Sequence, residues 1–113
     1  MTHERKLPDN PIAFIEECVR RRQILWTYHV NMRLADRFIP REFILAAADT
    51  YELVEAYPDD KYLPSYLVLA HHDADYFHVL FAVDVEGYNV RVVTAYRPDV
   101  AEWEENLKKR RSN

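Results

Sequence analysis

The sequence contains almost no glycine and almost no cysteine. Gly87 is the only glycine among the 113 residues, which excludes the glycine-rich loops that bind nucleotide phosphates. Cys18 is the only cysteine, so the chain cannot form an internal disulfide. Because Cys18 lies among apolar residues of a helical pattern, we expect its thiol to be buried and inert. Zinc-finger spacings are absent as well.

Long apolar runs are also missing. The longest, at residues 43–48 and 66–70, fall far short of the ~20 residues that cross a bilayer. The polar start of the chain lacks the apolar stretch of a secretory signal, so we expect a cytoplasmic protein. The length and a 49% hydrophobic content predict a single domain over residues 1–113, with an ordered core at about 10–111.

Basic residues do not dominate this chain, whose formal net charge is −4. The imbalance is greatest at residues 49–98, which carry three basic and nine acidic side chains. A protein of this kind lacks the positive field of domains that bind nucleic acid tightly and without sequence preference. The arginines of the first half can form one local positive patch, at Arg20, Arg21, Arg22, Arg33, Arg37 and Arg41.

The hydrophobic pattern predicts an α+β domain with N-terminal helices, an antiparallel meander of about four strands and a C-terminal helix. The first helix begins at Pro11 behind the capping residue Asn10, and an extended segment follows it. The predicted elements after that segment are helices at 29–37 and 41–48, strands at 51–57, 66–71, 77–85 and 90–96, and a helix from Asp99.

The last two strands are expected to form a hairpin with a two-residue type II′ turn at Gly87. That turn sets Asp84 opposite Arg91 and His78 opposite Arg97. The alternation along the first of these strands places Val79, Phe81 and Val83 in the core. Val92 of the other strand joins them there.

His29, Arg33 and Arg37 form the strongest candidate for chemistry, because residues four apart lie on one stripe of a helix. Histidine exchanges protons near neutral pH, and two arginines can hold a phosphate group. The structural alternative is that the arginines pair with acidic residues of the sheet, which alone would explain their presence.

A second cluster, at residues 71–78, carries His71, His72, Asp73, Asp75 and His78. Histidine and carboxylate are suitable metal ligands, but adjacent histidines on a strand point to opposite faces. We therefore predict no metal site here, and we predict no cofactor for the chain.

Four segments of the sequence stand out: YHVNMRLADRFI at 28–39, FHVL at 77–80, VVTAY at 92–96 and the tail YRPDVAEWE at 96–104. They give the chain a resemblance, over about residues 12–111, to a bacterial family known as domain of unknown function 4258. It implies a distant relation to the RelE and BrnT toxins, small ribonucleases with helices packed against an antiparallel sheet. In such enzymes the 2′-hydroxyl of the RNA attacks the adjacent phosphate without a metal.

The resemblance also implies roles for five residues. His29 would be the general base or acid, Arg33 and Arg37 the phosphate clamp, and His78 or Tyr96 a second proton donor. The chain departs from those toxins in its charge, because they are usually basic and this chain is acidic.

Two functions follow from these observations. The first is a toxin-like, metal-independent ribonuclease, or a descendant of one, that acts on RNA and is paired with an antitoxin-like protein. The second is a non-catalytic interaction domain that binds another protein or itself as a homo-oligomer. Trp26, Trp103 and eight tyrosines favour the second, since aromatic residues are enriched at interfaces, although they also suit a core.

Overall fold

The structure, a computed structural model, describes residues 6–111. Within that range, no helix is long and apolar enough to cross a membrane. In chain order the elements are α1 (Pro11–Arg20), β1 (Ile24–Trp26), α2 (Tyr28–Asp36), α3 (Arg41–Ala46), a 3-10 turn (Ala48–Thr50), β2 (Glu52–Tyr57), β3 (Ser65–His72), β4 (Asp75–Asp84) and β5 (Asn89–Tyr96).

Helix α1 begins where the sequence predicts it. Asn10 is extended, with φ −130°, and its Oδ1 accepts a hydrogen bond from the Ala13 amide at 3.1 Å. Pro11 occupies the first turn, where its missing N–H costs nothing. The helix buries Ile15, Cys18 and Val19 against the sheet.

The five strands form one mixed sheet in the order β1-β5-β4-β3-β2. Strands β2 to β5 are the antiparallel meander that the sequence predicts. The extended segment after α1 adds β1, which pairs in parallel with β5 from Ile24↔Val90 to Trp26↔Val92. The sheet is therefore larger than predicted by one short edge strand.

The main core lies between the helices and one face of the sheet. The side chains of Val79, Phe81, Val83 and Val92 are fully buried there, which confirms the predicted faces of the hairpin. The helices contribute buried apolar residues to the same core, among them Ile15, Val30, Leu34 and Ile44.

The predicted register of that hairpin is wrong, although its faces are right. Asp84 pairs with Asn89, and His78 pairs with Tyr96. The turn spans residues 85–88, and Tyr88 rather than Gly87 has a positive φ, 54°. Next to the turn, the observed pairing differs from the predicted pairing by two residues, so each side chain stays on the face of the sheet that was predicted for it. A bulge at Leu80/Phe81 then shifts the register again.

The predicted C-terminal helix is also wrong. Residues 98–111, which we call the C-terminal strap, begin with one helical turn, in which the Trp103 amide donates to Asp99 O at 3.1 Å. The chain then folds back, and Trp103 pairs with Arg110 in an antiparallel bridge. The hairpin shape places Trp103 against the sheet, and its burial outweighs the local preference for helix.

The strap covers part of the face of the sheet that points away from the helices. Trp103 is almost fully buried beside the His78 ring, with 4.6 Å between ring centroids. The strap is tied to β2 by the Arg110–Glu55 ion pair at 2.9 Å and the Lys108–Glu52 pair at 3.3 Å. The Arg110 guanidinium also lies over the Trp103 ring at 4.5 Å.

Trp103 is expected to hold the strap more strongly than its ion pairs do. Trp103→Ala should lower the free energy of unfolding by about 3–5 kcal/mol, because it removes a large buried ring. Arg110→Gln should cost only about 1 kcal/mol, because its ion pair is partly exposed to water. Urea unfolding followed by circular dichroism measures both, and equal losses in the two variants would show that charge holds the strap.

Candidate functional site

Helix α2 places His29 and Arg33 one turn apart on one stripe, and Arg37 follows at the residue that caps the end of the helix. The helix begins at Thr27, whose Oγ1 accepts a hydrogen bond from the Val30 amide at 3.1 Å. His29 and Arg33 are exposed. Within residues 6–111, the Arg33 side chain has no hydrogen bond or ion pair with another residue.

Arg37 differs from its two neighbours on the stripe because its side chain binds the sheet. Its Nη1 donates to Ala95 O at 2.7 Å and to Thr94 Oγ1 at 3.2 Å. Strand β1 pairs with β5 only as far as Val92, so the outer edge of β5 has no strand partner beyond that point. Arg37 supplies donors to this open edge and thus has a structural role.

Arg97 fixes the end of α2 to the sheet. Its Nε and Nη2 donate to the two carboxylate oxygens of Asp75, each at 2.8 Å. The same guanidinium donates to Phe38 O at 2.9 Å and to Arg37 O. The hydrogen bonds from Arg97 hold the pKa of Asp75 below its usual value.

His78 is fully buried between the sheet and the strap. Its Nε2 lies 2.7 Å from Leu107 O, so Nε2 carries the proton and donates it. Its Nδ1 lies 3.4 Å from the Tyr96 hydroxyl and can accept from it. Burial lowers the pKa of His78 below its usual value, so the imidazole is neutral at neutral pH.

The charged end of the strap binds β2 next to this histidine. Arg110 donates two hydrogen bonds to Glu55, at 2.9 and 3.1 Å, and Glu55 also accepts from the Tyr57 hydroxyl. These bonds, chiefly those from Arg110, lower the pKa of Glu55. Sequence analysis missed Glu55 and Arg110, because the contact joins positions 55 residues apart and no local pattern links them.

The five predicted site residues thus form two groups. Arg37 and the end of α2 contact Arg97 and the edge of β5, on the helical side of the sheet. His78 and Tyr96 face the opposite side, because the neighbours of His78 on β4, Phe77 and Val79, belong to the main core. No contact among the described residues joins His29 or Arg33 to His78 or Tyr96.

The histidines of the other candidate cluster contact aromatic rings. His72 stacks on Phe43, with 4.1 Å between ring centroids and 10° between planes, while His71 lies against Tyr76 at 4.9 Å. In the described part of the chain, no three His, Cys, Asp or Glu side chains are grouped as metal ligands. Burial raises the pKa of the Cys18 thiol to about 11, which keeps it protonated and unreactive.

The buried, neutral His78 should make stability depend on pH. Its folded pKa is lower than the unfolded value of about 6.5, so the unfolded chain takes up the proton first. The stabilisation is complete above about pH 6.5 and is lost as the pH falls toward the folded pKa. Denaturant unfolding at steps between about pH 7.5 and 5.5 should show this loss.

His78→Gln should reduce this pH dependence, and His29→Gln is the matched control that should retain it. A His78→Gln variant with the wild-type slope would mean that His78 is not the group whose protonation opposes folding.

Comparison with known proteins gives one match. Curated proteins yielded no match, and neither did solved structures. Residues 26–97 match the family described as "Domain of unknown function (DUF4258)", and this segment runs from the end of β1 to Arg97. It contains His29, Arg33, Arg37, His78 and Tyr96 but not the C-terminal strap. The chain therefore belongs to the DUF4258 family.

Proposed function

We propose that this chain is a protein-interaction domain that pairs with a second copy of itself through the exposed surface around α2. Phe38, just beyond α2, carries the proposal, because its large apolar side chain is 81% exposed. Phe38 also has φ 55°, a left-handed conformation that bulky residues rarely adopt. This conformation ends α2, where the Ile39 amide donates to Leu34 O at 2.9 Å, and it leaves the ring at the surface for a partner.

The position of Phe38 is fixed before any partner arrives. Arg97 donates hydrogen bonds to the carbonyl oxygens of Arg37 and Phe38, and its own position is fixed by its hydrogen bonds to Asp75. A contact residue on a rigid turn loses little conformational freedom on binding. The Arg97–Asp75 pair therefore favours association without touching the partner.

A hollow of about 340 Å³ lies beside Phe38. Its other lining residues are Asn31, Leu34, Ala35, Ile39, Pro40 and Arg41. Because the ring and the hollow share one surface, a two-fold rotation can place each Phe38 in the hollow of the other copy. A two-fold interface of this kind is complete with two copies, so it gives a dimer and not a longer assembly.

The composition of the surrounding surface suits the same partner. Tyr28 and Met32 are exposed on α2, and aromatic residues, methionine and arginine are enriched at protein interfaces. Asp36 at one end of the helix has the opposite charge to Arg33 nearer its middle. Antiparallel pairing of two α2 helices directs Asp36 of each copy toward the basic side chains of the other.

Phe38→Ser tests the interface. If the wild type forms a dimer, the variant should associate about a hundredfold more weakly, since symmetry removes two rings at about 1.4 kcal/mol each. Sedimentation velocity over a concentration series measures the dissociation constant. Tyr62→Ser is the matched control, because Tyr62 is 82% exposed and lies outside the hollow.

A wild type that stays monomeric at the highest concentration would contradict the proposal. Equal weakening by Phe38→Ser and Tyr62→Ser would contradict the assignment of the interface to α2.

A second candidate is the toxin-like, metal-independent ribonuclease related to RelE and BrnT, or a descendant of one, with RNA as substrate and an antitoxin-like partner. Its support is the exposed pair on α2, where His29 can transfer a proton and the unpaired Arg33 can bind phosphate. The acidic charge of the chain opposes it, as does the burial of His78 beneath the strap.

The ribonuclease is tested by RNA cleavage and by growth arrest on expression. If the wild type cleaves RNA, His29→Ala should lower the rate about a hundredfold or more, as for loss of a general acid or base. Arg33→Ala should weaken it as well, while His71→Ala, a histidine outside α2, should not. A wild type that neither cleaves RNA nor slows growth would exclude this candidate.

A further inference from the structure

We infer that a groove between Tyr62 and Arg91 binds a carboxylate carried on an apolar group. The groove reaches the start of α2 at Thr27, but it shares no lining residue with the hollow beside Phe38 and does not include His78. The groove has a volume of about 490 Å³, within the usual range of small-molecule sites. The residues that line it are Tyr62, Leu63, Ser65, Ala82, Arg91 and Val93, together with Thr27, Asp60, Lys61 and Val92.

The groove results from the register of three strands. Ser65 of β3 pairs with Ala82 of β4, and Ala82 pairs with Arg91 of β5, so these side chains form a row on the face opposite the helices. Two small side chains next to each other leave a depression in the sheet. Tyr62, in the loop before β3, and the exposed Val93 rise on its two sides.

Much of the lining is apolar, and it contains two cations, the exposed Arg91 and Lys61, whose Nζ lies 5.3 Å from the centroid of the Tyr62 ring. Within residues 6–111, Arg91 and Arg33 are the arginines whose side chains have no hydrogen bond, ion pair or ring contact. Arg91 lacks such a partner although residues 49–98 carry nine acidic side chains. An unpaired guanidinium beside an apolar surface favours a planar anion that accepts two parallel hydrogen bonds.

The surroundings favour a carboxylate over a phosphate. The acidic half of the chain repels a dianion more strongly than a single negative charge. The apolar part of the lining can bury the body of the ligand, which an apolar acid has and a free phosphate lacks. Suitable ligands are therefore free apolar acids and the terminal carboxylate of a peptide with an apolar last residue.

Titration with 4-phenylbutyrate, followed by amide chemical shifts in nuclear magnetic resonance, tests the site on the full chain. Binding should shift the amides of Ser65, Ala82 and Val93, with a dissociation constant of about 1 mM for a ligand of this size. The same ring on an amine, 4-phenylbutylamine, should not bind there. The alcohol 4-phenylbutanol should bind at least about tenfold more weakly.

Arg91→Gln should weaken 4-phenylbutyrate binding about tenfold or more, because it removes the charge at an exposed position. Arg33→Gln is the matched control and should bind as the wild type does. Tyr62→Ser should also weaken binding, whereas Phe38→Ser should not. The last comparison separates this site from the dimer surface, so that either proposal can fail alone.

A short peptide that ends in phenylalanine, with a free or an amidated terminus, identifies the source of the carboxylate. Preference for the free terminus at the same amides assigns a peptide end, and binding of 4-phenylbutyrate alone assigns a free acid. Absence of shifts with every acid would overturn the inference. Equal shifts with the amine, or unchanged binding by Arg91→Gln, would also overturn it.

Discussion

Strand β4 lies at the centre of the sheet, so both of its faces must be shielded from water. Its side chains alternate, with Phe77, Val79, Phe81 and Val83 on one face and His78 between the first two on the other. The N-terminal helices supply apolar residues to the first face only. The second face is shielded at His78 by the Trp103 ring of the strap and by the Tyr96 ring of β5, whose centroids lie 4.6 and 5.4 Å from that of the imidazole.

Three arginines stabilise the places where regular structure ends. Arg37 donates to the open edge of β5, Arg97 holds the end of α2, and Arg110 ties the strap to β2. Of the three, Arg37 was predicted as a functional residue, because it continues the stripe that begins with His29 and because arginine can hold a phosphate group. Their partners show that hydrogen bonding within the fold already occupies them. Arg33 and Arg91 remain available for binding.

Local patterns predicted the helices and strands well, and contacts between distant residues explain the rest. The caps at Asn10 and Thr27 and the alternation along β4 act within a few residues, so the sequence shows them directly. The position of His78 depends on Trp103 and Leu107, which lie beyond the end of the sheet. No local pattern indicates that contact, so the sequence could not separate His78 from the helical stripe.

The hairpin register was missed for a related reason. The four-residue turn depends on a left-handed Tyr88, whereas the sequence offered Gly87 as the more common residue for a positive φ. The bulge between Leu80 and Phe81, which lies opposite Val93, then changes the pairing partners of the last residues of β5. The faces of the strands were still predictable, because a shift of two residues preserves the alternation of apolar side chains.

The parallel pairing of β1 with β5 has a consequence for folding. Ile24 and Val90 pair across two helices and three strands of intervening chain, so closing this loop costs conformational entropy before the pairing contributes to stability. During synthesis from the N-terminus, β1 leaves the ribosome long before its partner exists. Its edge and the apolar side of α1 therefore stay exposed until β5 has emerged, which makes docking of the N-terminal segment a late step in folding.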